Sequence, residues 1–419
     1  MTLKLSERIA SDEFAQIARH PDHPKAFARK RKLPLPALIG ALMSMRNQSQ
    51  QAMLDGFFAS VCGSPDLIRE VSDRAFAKAR EHLHLPALNS LNSLNDLVVR
   101  RADEAGDASV LMPAVRPCHL KRSAAAPDQR LFVLYLPGAE LTLHASVHSA
   151  SVGERCMLMG ALDQLGPDDV LVLDCGYPAT WLVALLSARG ICFVMRGDND
   201  SGWGAAKAFR RSSALGSTVT LNPPSAHDVR DWDCSAQAPS LRLVRQIAPN
   251  GQIRLLATKI DAGHCPAAMF GDLYHQRWRI EEAFKRIKHR LYLEAVSGLS
   301  QQALIIDVAA KILADKITSL MCAAAADHAG LPALSRKCNR AYAASFMQSL
   351  LPRLVLLVGD ICSAIDHAIH ALGSNSQRYI SGRSRPRPVR HDKPHPSCAY
   401  KGCEPMFGGL TSDWVPGDT

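Results

Sequence analysis

Apolar and polar positions along this chain change period three times. Residues 1 to about 100 read as helical: Phe14, Ile17 and Ala18 recur at helical spacing, and so do Leu38, Leu42 and Met45. Ser72 is placed to cap a helix running from Val71 to Leu83. The period then becomes that of strands. Leu131–Leu136 is an apolar run closed by Pro137-Gly138, and Leu141–Val147 alternates as its hairpin partner. Gly153–Leu165 has helical spacing. Val170–Leu173 is a buried strand ending in Asp174, Pro178 suits the first turn of a helix running to Ala188, and Ile191–Met195 is another buried strand. Strands and helices in this order predict an α/β sheet with helices on its faces.

From Gly197 to Ala262 the pattern is strand-like and rich in turns, with Ser217–Leu221, Leu241–Arg245 and Gln252–Leu256 as its strands. A long helix begins near Asp272. Beyond Gly298 the chain is helical again to about Leu372, and its last stretch is rich in Arg, Pro and Gly. The resulting division is a helical DNA-binding region (1–100), a first core segment (101–196), a β-rich insertion (197–262), a second core segment (263–330), a C-terminal helical region (331–376) and a basic tail (377–419).

With 419 residues, 47% hydrophobic and 21% charged, the chain is long enough for more than one core and too apolar to be mainly disordered. A formal charge of +10 favours a polyanionic partner, nucleic acid before membrane. The twelve cysteines are scattered singly. The N-terminus lacks the apolar stretch of a signal peptide, and the run Leu350–Ile361 is too short and too interrupted to span a bilayer. A cytoplasmic protein with free thiols is expected.

The candidate chemistry centres on the helix near Asp272. At about 100° per residue, Tyr274, Arg277, Glu281 and Lys288 fall within roughly a 60° arc, joined by Lys285. Ile280, Ala283, Phe284, Ile287 and Leu291 form a separate apolar face. One carboxylate in a stripe of cations suits a divalent metal beside phosphates. The plainer reading is a surface helix with a Glu281–Lys285 salt bridge. Asp174, at the C-terminal end of an apolar strand, stands where open α/β sheets bind ligands, although a lone Asp there also serves as a helix cap. Arg29, Lys30 and Arg31, in a basic cluster with Lys25 and Lys32, read either as a phosphate-contacting arm or as a solvated helix end.

The spacing Tyr-x2-Arg-x3-Glu-x6-Lys resembles the signature helix of the bacterial insertion-sequence-four family of DDE transposases. Asp174-Cys-Gly-Tyr177 resembles that family's second-aspartate motif and Gly106-Asp-Ala-Ser109 its first. The resemblance implies a ribonuclease-H-like mixed sheet carrying Asp107, Asp174 and Glu281 as a triad for Mg²⁺ or Mn²⁺, and a β-rich insertion between the second and third acids. It implies cleavage and joining of transposon ends by two-metal in-line transfer, with Tyr274, Arg277, Lys285 and Lys288 on the DNA. Double-stranded DNA, as terminal repeats and target, is the implied partner, a homodimer in the synaptic complex is the implied assembly, and the bacterial nucleoid is the implied location. An insertion-domain Trp, Trp203 or Trp232, is placed to stack on a flipped base, although a core role is the more ordinary one for each.

Two departures stand out. Cys175 occupies a position where relatives carry Arg. The residues before Asp107, Arg100-Arg-Ala-Asp-Glu-Ala-Gly106, are too charged for a buried central strand, so a lost first strand and impaired activity are expected. The alternative function is therefore a DNA-binding remnant that cannot cut. A general nuclease of the same fold is a third reading. His391, His395, Cys398 and Cys403 have only a loose zinc-like spacing.

Overall fold

The computed structural model describes residues 2–378 except 30, 45–48, 94–102, 112–128, 150, 198–202, 248–250, 294–297, 299 and 333–334; over 2–4 and 103–111 it describes the backbone alone. The chain opens with six helices: α1 (Thr2–Ala10), α2 (Asp12–Ile17), α3 (Leu35–Ser44), α4 (Gln50–Cys62), α5 (Asp73–Glu81) and α6 (Leu85–Asn92). The Ser72 hydroxyl accepts from the Ala75 N–H and caps α5, as its sequence position requires. Next come β1 (Asp103–Leu111), β2 (Gln129–Leu136), β3 (Leu141–Ser149), α7 (Glu154–Met159), β4 (Val170–Leu173), α8 (Thr180–Ala188) and β5 (Cys192–Arg196). Pro178 lies just outside α8, whose cap is Ala179.

Residues 204–258 form α9 (Gly204–Arg211), β6 (Gly216–Thr220), α10 (Ala226–Trp232), β7 (Ser240–Ile247) and β8 (Ile253–Thr258). Then follow α11 (Phe270–His275), α12 (Trp278–Arg290), α13 (Gln301–His328), the short β9 (Arg336–Cys338), α14 (Arg340–Leu356), α15 (Ile361–Ser374) and β10 (Ser376–Arg378).

Eight strands share one sheet in the order β3-β2-β1-β4-β5-β8-β7-β6. β1, β2 and β3 run antiparallel in succession, β4 is parallel to β1, β5 is parallel to β4, and β8 joins β5 antiparallel. The 204–258 segment therefore extends the main sheet rather than building a second one. Strands β2, β4 and β5 are apolar on successive positions because both faces are covered there, whereas β6 at the far edge is largely exposed. In β2, Phe132, Leu134 and Leu136 pack with α7 and α8, while Leu131, Val133 and Tyr135 pack with α12 and α13. In β4 and β5 the odd-numbered residues Leu171, Leu173, Phe193 and Met195 face α8, whereas Val172 and Val194 lie against Phe270 and Tyr274 of α11.

The helices of 1–100 and of 331–376, separate in sequence, bury their apolar residues in one cluster with α13 between them. α13 turns Ala310, Leu313 and Ile317 to that cluster and Leu304, Val308 and Ile312 to the sheet. It is buried almost all round, and its charges have partners: Asp307 lies near Arg80, Lys311 donates to the Tyr292 carbonyl, and Asp315 binds Arg286 and Arg340. Among the described residues, no helix is long and apolar enough to cross a membrane. The nine described cysteines are free thiols.

Candidate active site

The first expectation to be corrected concerns the strand before Asp107. Residues 103–111 form β1, and it is a central strand. Its described residues start at Asp103; Arg100 and Arg101 lie outside the described residues. Its middle, Ala105-Gly-Asp-Ala-Ser109, is made of small residues. Hydrogen bonding by β2 on one side and β4 on the other satisfies the backbone and outweighs the poor strand character of the sequence.

Register then aligns three positions. Ala105 pairs with Val172 across β1 and β4, so Asp107, in the middle of β1, stands level with Asp174 just past the C-terminal end of β4. Leu173 pairs with Met195 across β4 and β5, so Asp174 is level with Arg196. The side chain of Asp107 lies outside the described residues.

Asp174 does not cap α8. Its Oδ1 accepts the Gly176 N–H at 2.7 Å, closing a tight turn that fixes the carboxylate at the strand end. A β-carbon on Gly176 would stand 3.1 Å from that oxygen and 3.4 Å from Oε2 of Glu154. Arg155 holds the same turn from the other side, its Nε donating to the Gly176 carbonyl at 3.0 Å and its Nη2 to Pro178 at 3.1 Å. Burial pushes the Glu154 carboxyl above its ordinary range and the charge on Asp174 adds to this, against the pull of Arg130. Neither Glu154 nor Arg155 was expected, because no local motif marks them; only the fold of α7 brings them to the Asp174 turn.

The expected single helix is two. α11 ends at His275 and α12 begins at Trp278. Across the junction the N–H groups of Gln276, Arg277, Arg279 and Ile280 each bond the carbonyl three residues back. Three residues per turn stack positions three apart, so Tyr274 and Arg277 share a face despite the break. Arg277 then reaches one turn forward, and its Nη2 donates to Oε1 of Glu281 at 3.0 Å. Glu281 thus meets Arg277 behind it rather than the Lys285 ahead that the plainer reading pairs with it. The Tyr274 phenol is pushed up by burial; Arg277 and Arg196 pull it down, and Asp174 and Cys175 add to the rise. Tyr274 therefore lies within electrostatic reach of both the strand edge and the helix.

These contacts revise two expected DNA contacts. Tyr274 is 2% exposed and packs in the core beneath the edge, so its ring is a support. Arg277 is also buried, with its guanidinium on Glu281 and 5.9 Å from the Trp278 ring. Lys285 is exposed and Lys288 half-buried. Arg29 and Arg31 are exposed in the segment before α3, and Lys30 lies outside the described residues. Trp203 is buried in the sheet core, which rules out stacking on a base, and half-buried Trp232 stacks on Trp181 at 4.3 Å. Cys175 is an exposed thiol, and Arg196 supplies a cation at the same edge of the sheet. His391, His395, Cys398 and Cys403 lie outside the described residues.

Among the described residues, no three metal-ligating side chains converge as they stand. The carboxylate oxygens at this edge suit a hard divalent cation, with the exposed Cys175 thiol beside Asp174 as a softer donor. The repulsion between Asp174 and Glu154 is of the kind a cation relieves. On donor chemistry, the residues fit such an ion.

Residues 120–314 match the family model described as the transposase DDE domain. That span contains Asp174 and Glu281 and begins after Asp107. The match supports a DNA transposase. A search of curated proteins finds no match. Among solved structures, the chain resembles the piggyBac transposase in a cryo-EM synaptic complex with hairpin DNA, with 11% identity and a TM-score of 0.41, covering 88% of this chain and 85% of that one.

Proposed function

We propose that this protein is a DDE transposase of the insertion-sequence-four type, built on a ribonuclease-H-like core, that cuts and joins DNA at the ends of its own element. The observation that carries this reading is the level placement of Asp107 and Asp174 on neighbouring parallel strands, with Tyr274 linking that edge to the Arg277–Glu281 pair. The strand order β3-β2-β1-β4-β5 and the family match support it.

Asp107, Asp174 and Glu281 would hold the divalent cations, Mg²⁺ or Mn²⁺. Bound there, such ions make a water or 3′-hydroxyl nucleophilic and stabilise the leaving oxygen. The protein contributes position and charge. The Gly176 N–H and the Arg155 clamp fix Asp174, while Arg277 aims Glu281. Arg196, Lys285 and Lys288 favour the charged phosphate. The exposed Arg29 and Arg31 supply sequence-independent backbone contacts. A homodimer brings two ends together in the synaptic complex. The DNA-binding-remnant reading loses its ground, because that ground was a missing first strand and β1 is present.

The test is cleavage of a labelled duplex bearing the element's own terminal repeat, comparing wild type with Glu281→Ala. Nicking that needs Mg²⁺ or Mn²⁺ and vanishes in the variant supports transposition. Binding without cleavage by either protein restores the remnant. Equal cleavage of DNA lacking the repeat indicates a general nuclease.

A further inference from the structure

Between the β2–β3 turn and the helical lobe lies a cavity of about 430 Å³. Its walls are the turn Gly138–Glu140, Arg279 of α12, the stretch of α13 from Ser319 to Ala326, and β9 with Arg340. It is not the candidate active site. Arg279 and Glu281 are two residues apart, about 200° around the helix, so the cavity opens on the side of α12 away from Glu281.

Its charge is unbalanced. Glu140 and Asp315 are engaged by two guanidiniums: Arg286 lies 3.5 Å from Glu140 and 2.9 Å from Asp315, and Arg340 lies 3.7 Å and 3.2 Å from the same two. Three more cations stand on the wall, Arg279, Arg336 and Lys337, against one further carboxylate within reach of Lys337, that of Glu282. Neutral acceptors hold the two arginines in place. Arg279 Nη1 donates to the Pro137 carbonyl at 3.4 Å. Arg336 donates from Nε to the Ser376 hydroxyl at 2.8 Å and from Nη2 to the Ser376 carbonyl at 3.1 Å. These bonds orient the guanidiniums without cancelling their charge. Half-buried Lys337 lies close enough to Arg279 to feel its repulsion, which together with burial outweighs the pull of Glu140 and Glu282. Fixed like charges around a preformed space are costly unless an anion fills it. Leu136, Ala139, Ala326 and Leu331 add an apolar wall.

The volume is too large for a bare phosphate and falls in the range of small-ligand sites, roughly 300–1,000 Å³. The geometry points to a second phosphate-binding site, in which this cavity takes a nucleotide phosphate on Arg279, Arg336 and Lys337 while the apolar wall meets the sugar. The nucleotide belongs either to a DNA strand or to a free pool; the DNA source rests on the transposase reading, and the phosphate chemistry does not.

The test compares wild type and the double variant Arg336→Gln/Lys337→Gln with two probes. One is a DNA duplex of arbitrary sequence, titrated by fluorescence anisotropy between about 50 and 200 mM salt. The other is dAMP, followed by ³¹P NMR. If the cavity holds backbone, the double variant loses about 0.9 from the salt slope for each phosphate released. If it holds a free nucleotide, dAMP binds the wild type and not the double variant, while the duplex slope is unchanged. Loss of neither probe overturns the site. A wild type that binds dAMP but no duplex leaves the site standing and removes the transposase reading. Should the double variant fail to fold, Arg336→Gln and Lys337→Gln are assayed singly, beside Arg279→Gln, with the same outcomes.

Discussion

The Arg277 guanidinium stands 3.0 Å from the Glu281 carboxylate, the Arg side chain 10% exposed and the Glu 34%. The pair is partly buried, so it is worth more than a surface ion pair and less than a fully enclosed one. Arg277→Ala strands Glu281 without its partner. Urea unfolding is expected to show a loss of about 1 kcal/mol, with DNA cleavage falling at least tenfold. Arg277→Lys should recover most of the stability and only part of the cleavage, because a single ammonium cannot orient the carboxylate as a planar fork does. Wild-type stability and cleavage in Arg277→Ala would show the pair to be incidental.

Gly176 tests whether Asp174 must be placed closely. An alanine there puts a methyl carbon 3.1 Å from Asp174 Oδ1, so that carboxylate has to shift by a few tenths of an ångström, and brings it into contact with Glu154 Oε2 at 3.4 Å. The turn is at the surface, so melting temperature should change little. Small misplacement of a reacting group is expensive, and cleavage should fall by about tenfold to a hundredfold. Gly176→Ala with full activity would mean that Asp174 is not held for catalysis.

The pattern of burial explains what was legible beforehand. Strands β2, β4 and β5 are continuously apolar because both sheet faces are covered, so sequence alone located them to within two residues. β1 was not legible. Its sequence, Asp103-Glu-Ala-Gly-Asp-Ala-Ser-Val-Leu111, carries no strand pattern, and what makes it a strand is pairing on both edges by segments remote in the chain. The helix signature located Glu281 and Arg277, but not the break between α11 and α12, because both halves keep helical dihedrals and differ only in hydrogen-bond reach. Glu154, Arg155 and Arg196 reach the site through tertiary packing and sheet register, which no local spacing records.

The buried network around Asp315 should govern acid stability. Burial pushes the Asp315 carboxyl up, but Arg286 and Arg340 outweigh it and hold the group below its ordinary value. A carboxylate depressed on folding stabilises the protein above its unfolded pKa, and that contribution is lost as pH falls through the folded value. Melting temperature should therefore hold down to about pH 4 and drop below it. Asp315→Asn is expected to remove much of this acid drop. At pH 7 it should cost about 3–5 kcal/mol, because two buried guanidiniums lose their shared partner. An unaltered acid profile in Asp315→Asn would assign the drop to other carboxylates.

Lys316, on the same helix, predicts the opposite slope. Burial lowers its pKa to about 8, and its ammonium donates to the Asn92 carbonyl. Between about pH 8 and 10.5 the unfolded chain binds a proton that the folded chain has released, so stability gains from this residue as pH rises through that window. Below it, the folded protein carries the full cost of a buried ammonium. Lys316→Met removes that cost together with the hydrogen bond to the Asn92 carbonyl. At pH 7 the variant is expected to be more stable, on the order of 1–2 kcal/mol, since the charge outweighs the bond. At pH 10 the native lysine is largely neutral, so the advantage should shrink or reverse. Comparing both proteins by urea unfolding at each pH cancels the other groups that titrate there. A constant difference at the two pH values would show that Lys316 keeps its proton in the fold, held by the Asn92 carbonyl more strongly than burial opposes it.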